Sequence, residues 1–323
     1  MNILIIGLSN VGDAVLMAPV IQRVRVAHPD AFLTVLVGER AKLVFERDAR
    51  IDRLVSMDEF DGGLGRLRLL PFVWSLKPDA IVDLRQTILP LCWKPWRFWR
   101  YAQRPPRTIL HMRDRHLWRL AQQLPSAGKA PIEAPWLWLT DDVREAVQRL
   151  LARWGIVAHK PLVVISPGAR SHTKRWYANR FARVADRLVG ELGVEVVFTG
   201  EPAESAIIEE ILEAMKQHAY SAVSSLTVQQ LAALMERAAL AITNDSAALH
   251  VASAVGAPVL ALFGPTSPAK YGPLGARGRV IQRRLFCAPC EQALCRYHHE
   301  CMRFISEDEV FAAAADILAE RVA

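Results

Sequence analysis

The sequence predicts an α/β protein made of two halves, each a parallel sheet covered by helices on both faces. Short apolar runs rich in β-branched residues alternate with longer segments of helical periodicity, which is typical of parallel strands joined by helical crossovers. This alternation occurs twice along the chain. With 323 residues, 52% hydrophobic and 23% charged, the chain is long and apolar enough for two folded domains.

The individual elements follow from the hydrophobic patterns. The predicted strands are 3–6, 32–37, 80–84, 162–166, 194–199, 240–243 and 259–263. The predicted helical segments are 43–48, 64–76, 141–154, 177–192, 204–217, 227–237 and 306–321. We place the domain boundary after the helix 141–154, which gives domains 1–157 and 158–323. The last helix begins with Ser306, Asp308 and Glu309, which suit a helix N-terminus, and it is a candidate for packing back on the first domain.

The start of the chain is predicted to be a first strand rather than a targeting segment. It lacks the basic region of a signal peptide, and its apolar runs are far shorter than a membrane span. We therefore expect a cytoplasmic protein. The net charge of +7 fits either ordinary solubility or an anionic partner.

The first predicted strand is followed by the segment 7–13, GLSNVGD. Its G-x4-G spacing matches neither the dinucleotide fingerprint nor a Walker A loop. The segment brings Asp13 to the carboxyl edge of the sheet, where open α/β sheets bind ligands. A carboxylate there can act as a general base, or it can simply cap the helix that follows.

Three segments of the second half also follow predicted strands: 166–176 (SPGARSHTKRW), 199–204 (TGEPAE) and 243–250 (TNDSAALH). A glycine-containing loop with Lys174 suits a diphosphate, although it can also be a solvated basic loop. Glu204 can bond ribose hydroxyls or complement a helix dipole. Asp245 and the small residues after it begin a helix, which is either an anion site or a plain cap. Together with the loop 263–268, these segments predict a nucleotide-diphosphate pocket.

On these blocks the chain resembles glycosyltransferase family 9, the heptosyltransferases of bacterial lipopolysaccharide core synthesis, and more closely the heptosyltransferase II/III subgroup. The resemblance extends over residues 1–317. Its most specific parts are 11–13 (VGD), 172–176 (HTKRW), 243–250 and 263–266 (FGPT).

The resemblance implies a GT-B fold, with two Rossmann-like doubly wound domains and a cleft between them. It also implies inverting transfer of heptose from ADP-L-glycero-β-D-manno-heptose to the inner core on lipid A, with no cofactor required for catalysis. Asp13 falls on the family's proposed general base, and Asn10 beside it is assigned to the acceptor. The implied donor-binding residues are Thr173, Lys174, Glu204, Asp245, Ser246, Ala247, His250 and Gly264. His250 is equally compatible with a packed core histidine.

Residues 91–120 carry seven arginines and one lysine against a single aspartate, with four interleaved tryptophans. Arginine pairs with phosphates and tryptophan favours membrane interfaces. We predict that Arg97, Arg100 and Arg104 bind the acceptor and that the stretch faces the cytoplasmic surface of the inner membrane. The alternatives are a solvated basic helix with buried tryptophans and a single-stranded nucleic-acid site. No nucleic-acid motif accompanies the stretch, so we expect no nucleic-acid partner.

Four of the five cysteines lie close together near the C-terminus: Cys287, Cys290, Cys295 and Cys301. They predict a structural thiol cluster or disulfide, or a structural zinc or iron–sulfur site. A similar cysteine-rich stretch occurs in the heptosyltransferases that add the second or a later heptose.

Two other functions remain open from the sequence. A nucleotide-sugar epimerase or hydrolase can use the same fold, but it has no need of the basic aromatic stretch. A non-enzymatic nucleotide- or metal-binding module is favoured only if Asp13 is no more than a helix cap.

Overall fold

The computed structural model describes residues 1–62, 65–93, 96, 98–132, 135–156, 159–275 and 277–320, without the side chains at 65–67 and 98. The chain divides into two compact units, Met1–Trp138 and Leu139–Ala323. Each unit contains a parallel sheet with helices, which confirms the predicted α/β class.

The strands and helices alternate in both units, and their bounds are as follows. The strands are β1 (Asn2–Ile6), β2 (Phe32–Val37), β3 (Arg53–Ser56), β4 (Ala80–Asp83), β5 (Leu162–Ser166), β6 (Glu195–Phe198), β7 (Tyr220–Ser221), β8 (Leu240–Asn244), β9 (Val259–Phe263) and β10 (Gly278–Gln282). The helices are α1 (Val11–Ala27), α2 (Glu39–Phe45), α3 (Gly65–Ser75), α4 (Leu89–Trp93), α5 (Phe98–Ala102), α6 (Met112–Gln123), α7 (Asp141–Arg153), α8 (Ala178–Leu192), α9 (Ser205–Ala214), α10 (Val228–Arg237), α11 (Ala247–Ala254), α12 (Pro268–Tyr271), α13 (Glu300–Arg303) and α14 (Glu307–Ala319).

In the first unit the sheet order is β3-β2-β1-β4, with all pairs parallel. The chain moves outward from β1 to β3 and then crosses back to β4, so the strand order reverses between β1 and β4. A crevice forms at such a switch point, outside the carboxyl ends of the two strands. On one face of the sheet Leu4, Leu36 and Ile81 pack with Val73 of α3, and α1 packs beside α6.

In the second unit the sheet order is β10-β9-β8-β5-β6-β7, again all parallel. Counted from β5, this is the strand order of the doubly wound nucleotide-binding folds, and its switch point lies between β5 and β8. The core packs Trp176, Phe181 and Phe198 together with Val310 of α14. Each unit therefore presents an equivalent crevice, between the loops after β1 and β4 in the first unit and after β5 and β8 in the second.

The division between the units falls before α7, earlier than the boundary predicted from sequence. Helix α7 buries Val143, Val147 and Leu151 and packs against α10 of the second unit. Arg144 adds two contacts to Glu236 on α10, at 2.8 and 3.1 Å. The buried apolar side chains and this ion pair assign α7 to the second unit.

The last helix begins as the sequence predicts. Ser306 is its N-cap and accepts a hydrogen bond from the Glu309 amide at 3.3 Å, and acidic residues occupy its first turn. The helix packs against α8 and contributes Val310 and Ala314 to the core of the second unit.

Several elements differ from the sequence predictions, among them one helix and two edge strands. Helix α2 lies at Glu39–Phe45, mostly before the predicted segment 43–48. Strands β3 and β10 are additional, and both combine polar with apolar residues at the edges of their sheets. Among the described residues, no helix is both long and apolar enough to cross a membrane.

Candidate functional site

The turn after β1 leads into α1 and orients Asp13. Asn10 is the N-cap residue of the helix and Asp13 is its third residue, so Asp13 does not occupy the capping position. The Asn10 side-chain amide donates to the Asp13 carboxylate at 3.1 Å. The turn is fixed against the neighbouring strand, since the Gly7 amide bonds Leu36 and the Gly38 amide bonds Leu8. A half-buried carboxylate is thus held at the edge of the first crevice.

In the crevice of the second unit, Asn244 at the end of β8 joins neighbouring loops. Its side chain is fully buried, donates to the Pro167 carbonyl at 2.6 Å and accepts from the Trp176 amide at 3.2 Å. Trp176 is itself buried and donates its indole N–H to the Ile305 carbonyl. The loop after β5 is therefore tied to the end of β8 at both of its ends.

Lys174 and Asp245 form an ion pair at the mouth of this crevice. The Lys174 ammonium lies 2.8 Å from Asp245 Oδ2, with the lysine side chain 30% exposed and the aspartate 5%. The aspartate holds the lysine in place, while the exposed part of the ammonium keeps donor capacity for a second anion. Such a fixed cation can offset negative charge on a diphosphate.

Three hydroxyls beside this ion pair lack hydrogen-bond partners within the described part of the chain. They belong to Thr243, Ser246 and Thr266, and their oxygens are buried. Ser246 is the N-cap of α11, yet its side chain makes no capping bond. Buried polar groups without partners are rare in folded proteins. Such hydroxyls, at the end of β8, at the N-terminus of α11 and in the loop after β9, suit oxygen atoms of a bound ligand.

Glu204 lies directly against the loop after β5. A Cβ atom added to Gly168 would stand 1.9 Å from a carboxylate oxygen of Glu204, so only glycine permits this approach. The Glu204 carboxylate also accepts from the Glu201 amide at 2.9 Å. Burial raises its pKa, opposed by the Glu201 N–H and by the charge of Arg175. Glu204 therefore has a structural role in its turn and a position at the crevice.

The remaining predicted donor residues lie in the same loops. Thr173 is buried and its hydroxyl bonds that of Ser171 at 2.8 Å. Ala247 and His250 belong to α11, and His250 is buried. Gly264 follows β9, where an added Cβ would stand 2.5 Å from the Met302 sulfur.

The basic aromatic stretch of the first unit exposes its tryptophans. Trp96 is 69% and Trp99 51% exposed, so the interpretation of a helix with buried tryptophans is wrong for these two. Arg100 lies over the Trp99 ring at 5.1 Å and is half-buried, while Arg104 is exposed. Arg97 lies outside the described residues.

The five cysteines are free thiols, not a disulfide. Cys301 is buried on α13, and burial, followed by the charges of Cys295, Cys290 and Cys287, raises its pKa. Cys295 sulfur accepts the amides of Tyr297 and His299, each at 3.3 Å. Among the described residues, no three His, Cys, Asp or Glu side chains are arranged to hold a metal ion.

Sequence reasoning did not single out Asn244 or the loop after β4. Asn244 precedes Asp245 in the segment 243–250, but nothing in the local sequence indicates that its side chain joins two loops. Asp83 is buried and accepts the amides of Arg85, Gln86 and Thr87. Its signal is an acidic residue at the end of a buried strand.

Known proteins share this architecture. The model of glycosyltransferase family 9 (heptosyltransferase) matches residues 113–300. Lipooligosaccharide heptosyltransferase 2 of Haemophilus influenzae is 26% identical over 307 residues, covering 87% of this chain and 88% of the relative. A glycosyltransferase family 9 structure from Veillonella parvula has a TM-score of 0.85 at 26% identity, covering 99% and 97% of the two chains.

The structure of Escherichia coli ADP-heptose lipopolysaccharide heptosyltransferase II has a TM-score of 0.78 at 20% identity and full coverage of both chains. These likenesses confirm the expected GT-B class for the two α/β units. Because the family model matches more than half of the chain, this protein belongs to glycosyltransferase family 9.

Proposed function

We propose that this glycosyltransferase moves heptose from ADP-L-glycero-β-D-manno-heptose to the inner core of lipopolysaccharide on lipid A, with inversion at the anomeric carbon. The observation that carries the proposal is the β5/β8 crevice, where an anchored lysine, unpartnered hydroxyls and a helix N-terminus meet. The names of the relatives, which include ADP-heptose and lipopolysaccharide, support the choice of substrates.

In the proposed reaction the Asp13 carboxylate accepts the proton of an acceptor hydroxyl. The oxygen attacks the anomeric carbon, and the bond from that carbon to the diphosphate breaks with its electron pair on ADP. Lys174 and the amides at the start of α11 stabilise the charge of the departing diphosphate. Glu204 binds the ribose, and Asp245 orients Lys174. Thr173, Ser246, Ala247, His250 and Gly264 complete the proposed donor site.

The proposed chemistry needs no catalytic metal, because a fixed ammonium and helix N–H groups can stabilise the leaving group. The cysteine cluster is proposed to be structural. Cys301 packs against the loop after β9, since an added Cβ on Gly264 would stand 3.1 Å from the Cys301 sulfur.

The function is tested by incubating the purified protein with a heptose-deficient core acceptor and ADP-heptose, and separately with an ADP-hexose and a UDP-hexose. We expect the acceptor to gain the mass of one heptosyl residue from ADP-heptose alone. Epimerised or hydrolysed ADP-heptose without transfer to any acceptor would instead assign an epimerase or hydrolase.

We also propose that the enzyme works as a cytoplasmic protein on the surface of the inner membrane, where its lipid-linked acceptor lies. The supporting observation is the exposed apolar surface of the first unit, where Ile88 is 69%, Trp96 69% and Leu110 50% exposed. Arg104 and Arg107, which lie between Trp96 and Leu110 in sequence, are also exposed. Aromatic rings at the headgroup level and arginines on anionic lipid suit such a surface.

Vesicle co-sedimentation tests this surface. Replacing Arg100 and Arg104 by Glu should weaken binding to anionic vesicles, because each basic residue near the surface contributes about 1 kcal/mol. Arg149→Glu is the matched control, since Arg149 is 68% exposed on α7 of the other unit. Equal binding by all three proteins would contradict the membrane surface without affecting the assignment of the reaction.

A further inference from the structure

The loop after β4 is built around a buried carboxylate. Asp83 Oδ1 accepts the amides of Arg85 and Gln86, both at 2.9 Å, and Oδ2 accepts the Thr87 amide at 2.6 Å and its hydroxyl at 2.8 Å. Gln123 of α6 bonds both the amide and the carbonyl of Asp83. These bonds fix the loop through its backbone, so its shape does not depend on the Arg85 side chain.

The Arg85 side chain leaves this loop and reaches across the first crevice. Its Nη1 atom donates to the Ser9 hydroxyl at 2.8 Å and lies 3.1 Å from the Met57 sulfur. Both contacts are to uncharged groups, and no carboxylate of the described residues lies within ion-pair distance of it. Arg25 and Arg50 of the same unit differ, because they pair with Asp52 and Asp48. The exposed Arg85 guanidinium therefore carries a charge that no described carboxylate pairs with, and it has further N–H donors.

Ser9 connects this guanidinium to the turn that holds Asp13. Ser9 directly precedes Asn10, and Asn10 donates to the Asp13 carboxylate. The loops after β1 and β4 flank the switch point of the sheet, where ligands bind in this class of fold. The arginine and the aspartate thus line one crevice, although they lie 72 residues apart in sequence.

We propose that Arg85 binds an anionic group of the acceptor, a carboxylate or a phosphate, and thereby retains the acceptor in the crevice beside Asp13. The proposal rests on the function proposed above and adds a residue that selects the acceptor. Guanidinium suits this role because its planar set of donors can bond two oxygens of one carboxylate or phosphate. The Ser9 hydroxyl orients the group before substrate arrives.

Steady-state kinetics of the full-length Arg85→Gln and Arg85→Lys enzymes test the proposal. We expect Arg85→Gln to raise the acceptor KM about 10- to 100-fold, the loss of a charge-assisted bond, with kcat and donor KM nearly unchanged. Arg85→Lys should restore part of the affinity, because it keeps the charge but not the two-point geometry. Two neutralised acceptors, one dephosphorylated and one carboxyl-reduced, identify the anion. The difference in acceptor KM between Arg85→Gln and the wild type should vanish with the acceptor that lacks the anion bound by Arg85.

Arg68→Gln is the matched control, as an exposed arginine on α3 of the same unit, and urea unfolding checks that each variant folds. Wild-type acceptor KM in Arg85→Gln, or an equal loss with both neutralised acceptors, would overturn the role of Arg85 while leaving the transferase intact. A wild-type enzyme that transfers no heptose would overturn both proposals together.

Discussion

The two crevices occupy equivalent positions in sheets of related strand order, yet they are built differently. In the second unit a buried asparagine and a partly buried ion pair join the loops after β5 and β8. In the first unit an exposed arginine meets a serine hydroxyl between the loops after β1 and β4, and Asp13 is only half-buried.

This difference suits the two crevices to different kinds of ligand. A buried network is rigid and specific once every partner is satisfied, which suits a small nucleotide sugar that must be held in one pose. An exposed charged crevice suits a large anionic acceptor, because its groups remain hydrated and accessible until the substrate binds. Under the proposed function, the same topology would support a preorganised donor site in the second unit and an open acceptor site in the first.

The largest expected difference between the two crevices is in the free energy of unfolding, and a pair of asparagine substitutions tests it. Asn244→Ala leaves the Pro167 carbonyl and the Trp176 amide unpaired in a buried site, so the free energy of unfolding should fall by about 2–4 kcal/mol. Asn10→Ala removes an exposed side chain without a capping bond, and it should lower the free energy of unfolding by less than about 1 kcal/mol. Urea unfolding of the ligand-free proteins measures both, and equal losses would show that the crevices do not differ in rigidity.

A second prediction concerns Lys174, the cation in the crevice of the second unit. Lys174→Met should raise the Kd for ADP about 10- to 100-fold, because a charge-assisted bond to the diphosphate is lost. Lys160→Met is the control, since that lysine pairs with Glu195, the first residue of β6, at the opposite edge of the sheet. Calorimetric titration with ADP measures the Kd of both variants. Unchanged ADP affinity in Lys174→Met would show that Lys174 does not bind the diphosphate.

A smaller effect is expected from a buried histidine of the first unit. His116 of α6 is 1% exposed, and burial, followed by Arg119, lowers its pKa to about 3. The unfolded chain therefore binds more protons than the folded one between pH 6.5 and 3, so stability falls as the pH drops through that range. Between pH 7 and 5 this group should remove about 2 kcal/mol of stability.

His116→Leu should abolish that part of the pH dependence, measured by urea unfolding at pH 7 and pH 5. His159→Leu, at an exposed position, should keep it. An unchanged pH dependence in His116→Leu would mean that His116 is able to accept a proton in the folded state.

The sequence predicted the elements with strong local patterns and missed those decided by distant partners. The buried strands β1, β5, β8 and β9 have continuous apolar runs. Strand β10 exposes Val280 and carries Arg279 and Gln282, so its pattern resembles a loop. The loops of the second unit's crevice could be grouped from the sequence because each follows a strand at the same sheet edge.

The contacts that build the crevices could not be predicted in this way. Arg85 and Ser9 are separated by 76 residues, and Asn244 and Pro167 by 77. No periodicity or local propensity specifies such pairs, because they depend on how the strands are ordered in the sheet. The domain boundary shifted for the same reason, since only packing on α10 assigns α7 to the second unit.

The most direct test of the account compares Asp13→Asn with the wild-type enzyme, using ADP-heptose and the heptose-deficient core acceptor. Asparagine keeps the shape and the contact with Asn10 but cannot accept the proton. We expect kcat to fall about 10²- to 10⁴-fold, while the Kd for ADP, which we assign to the second unit, stays the same. Transfer at the wild-type rate in Asp13→Asn would contradict it.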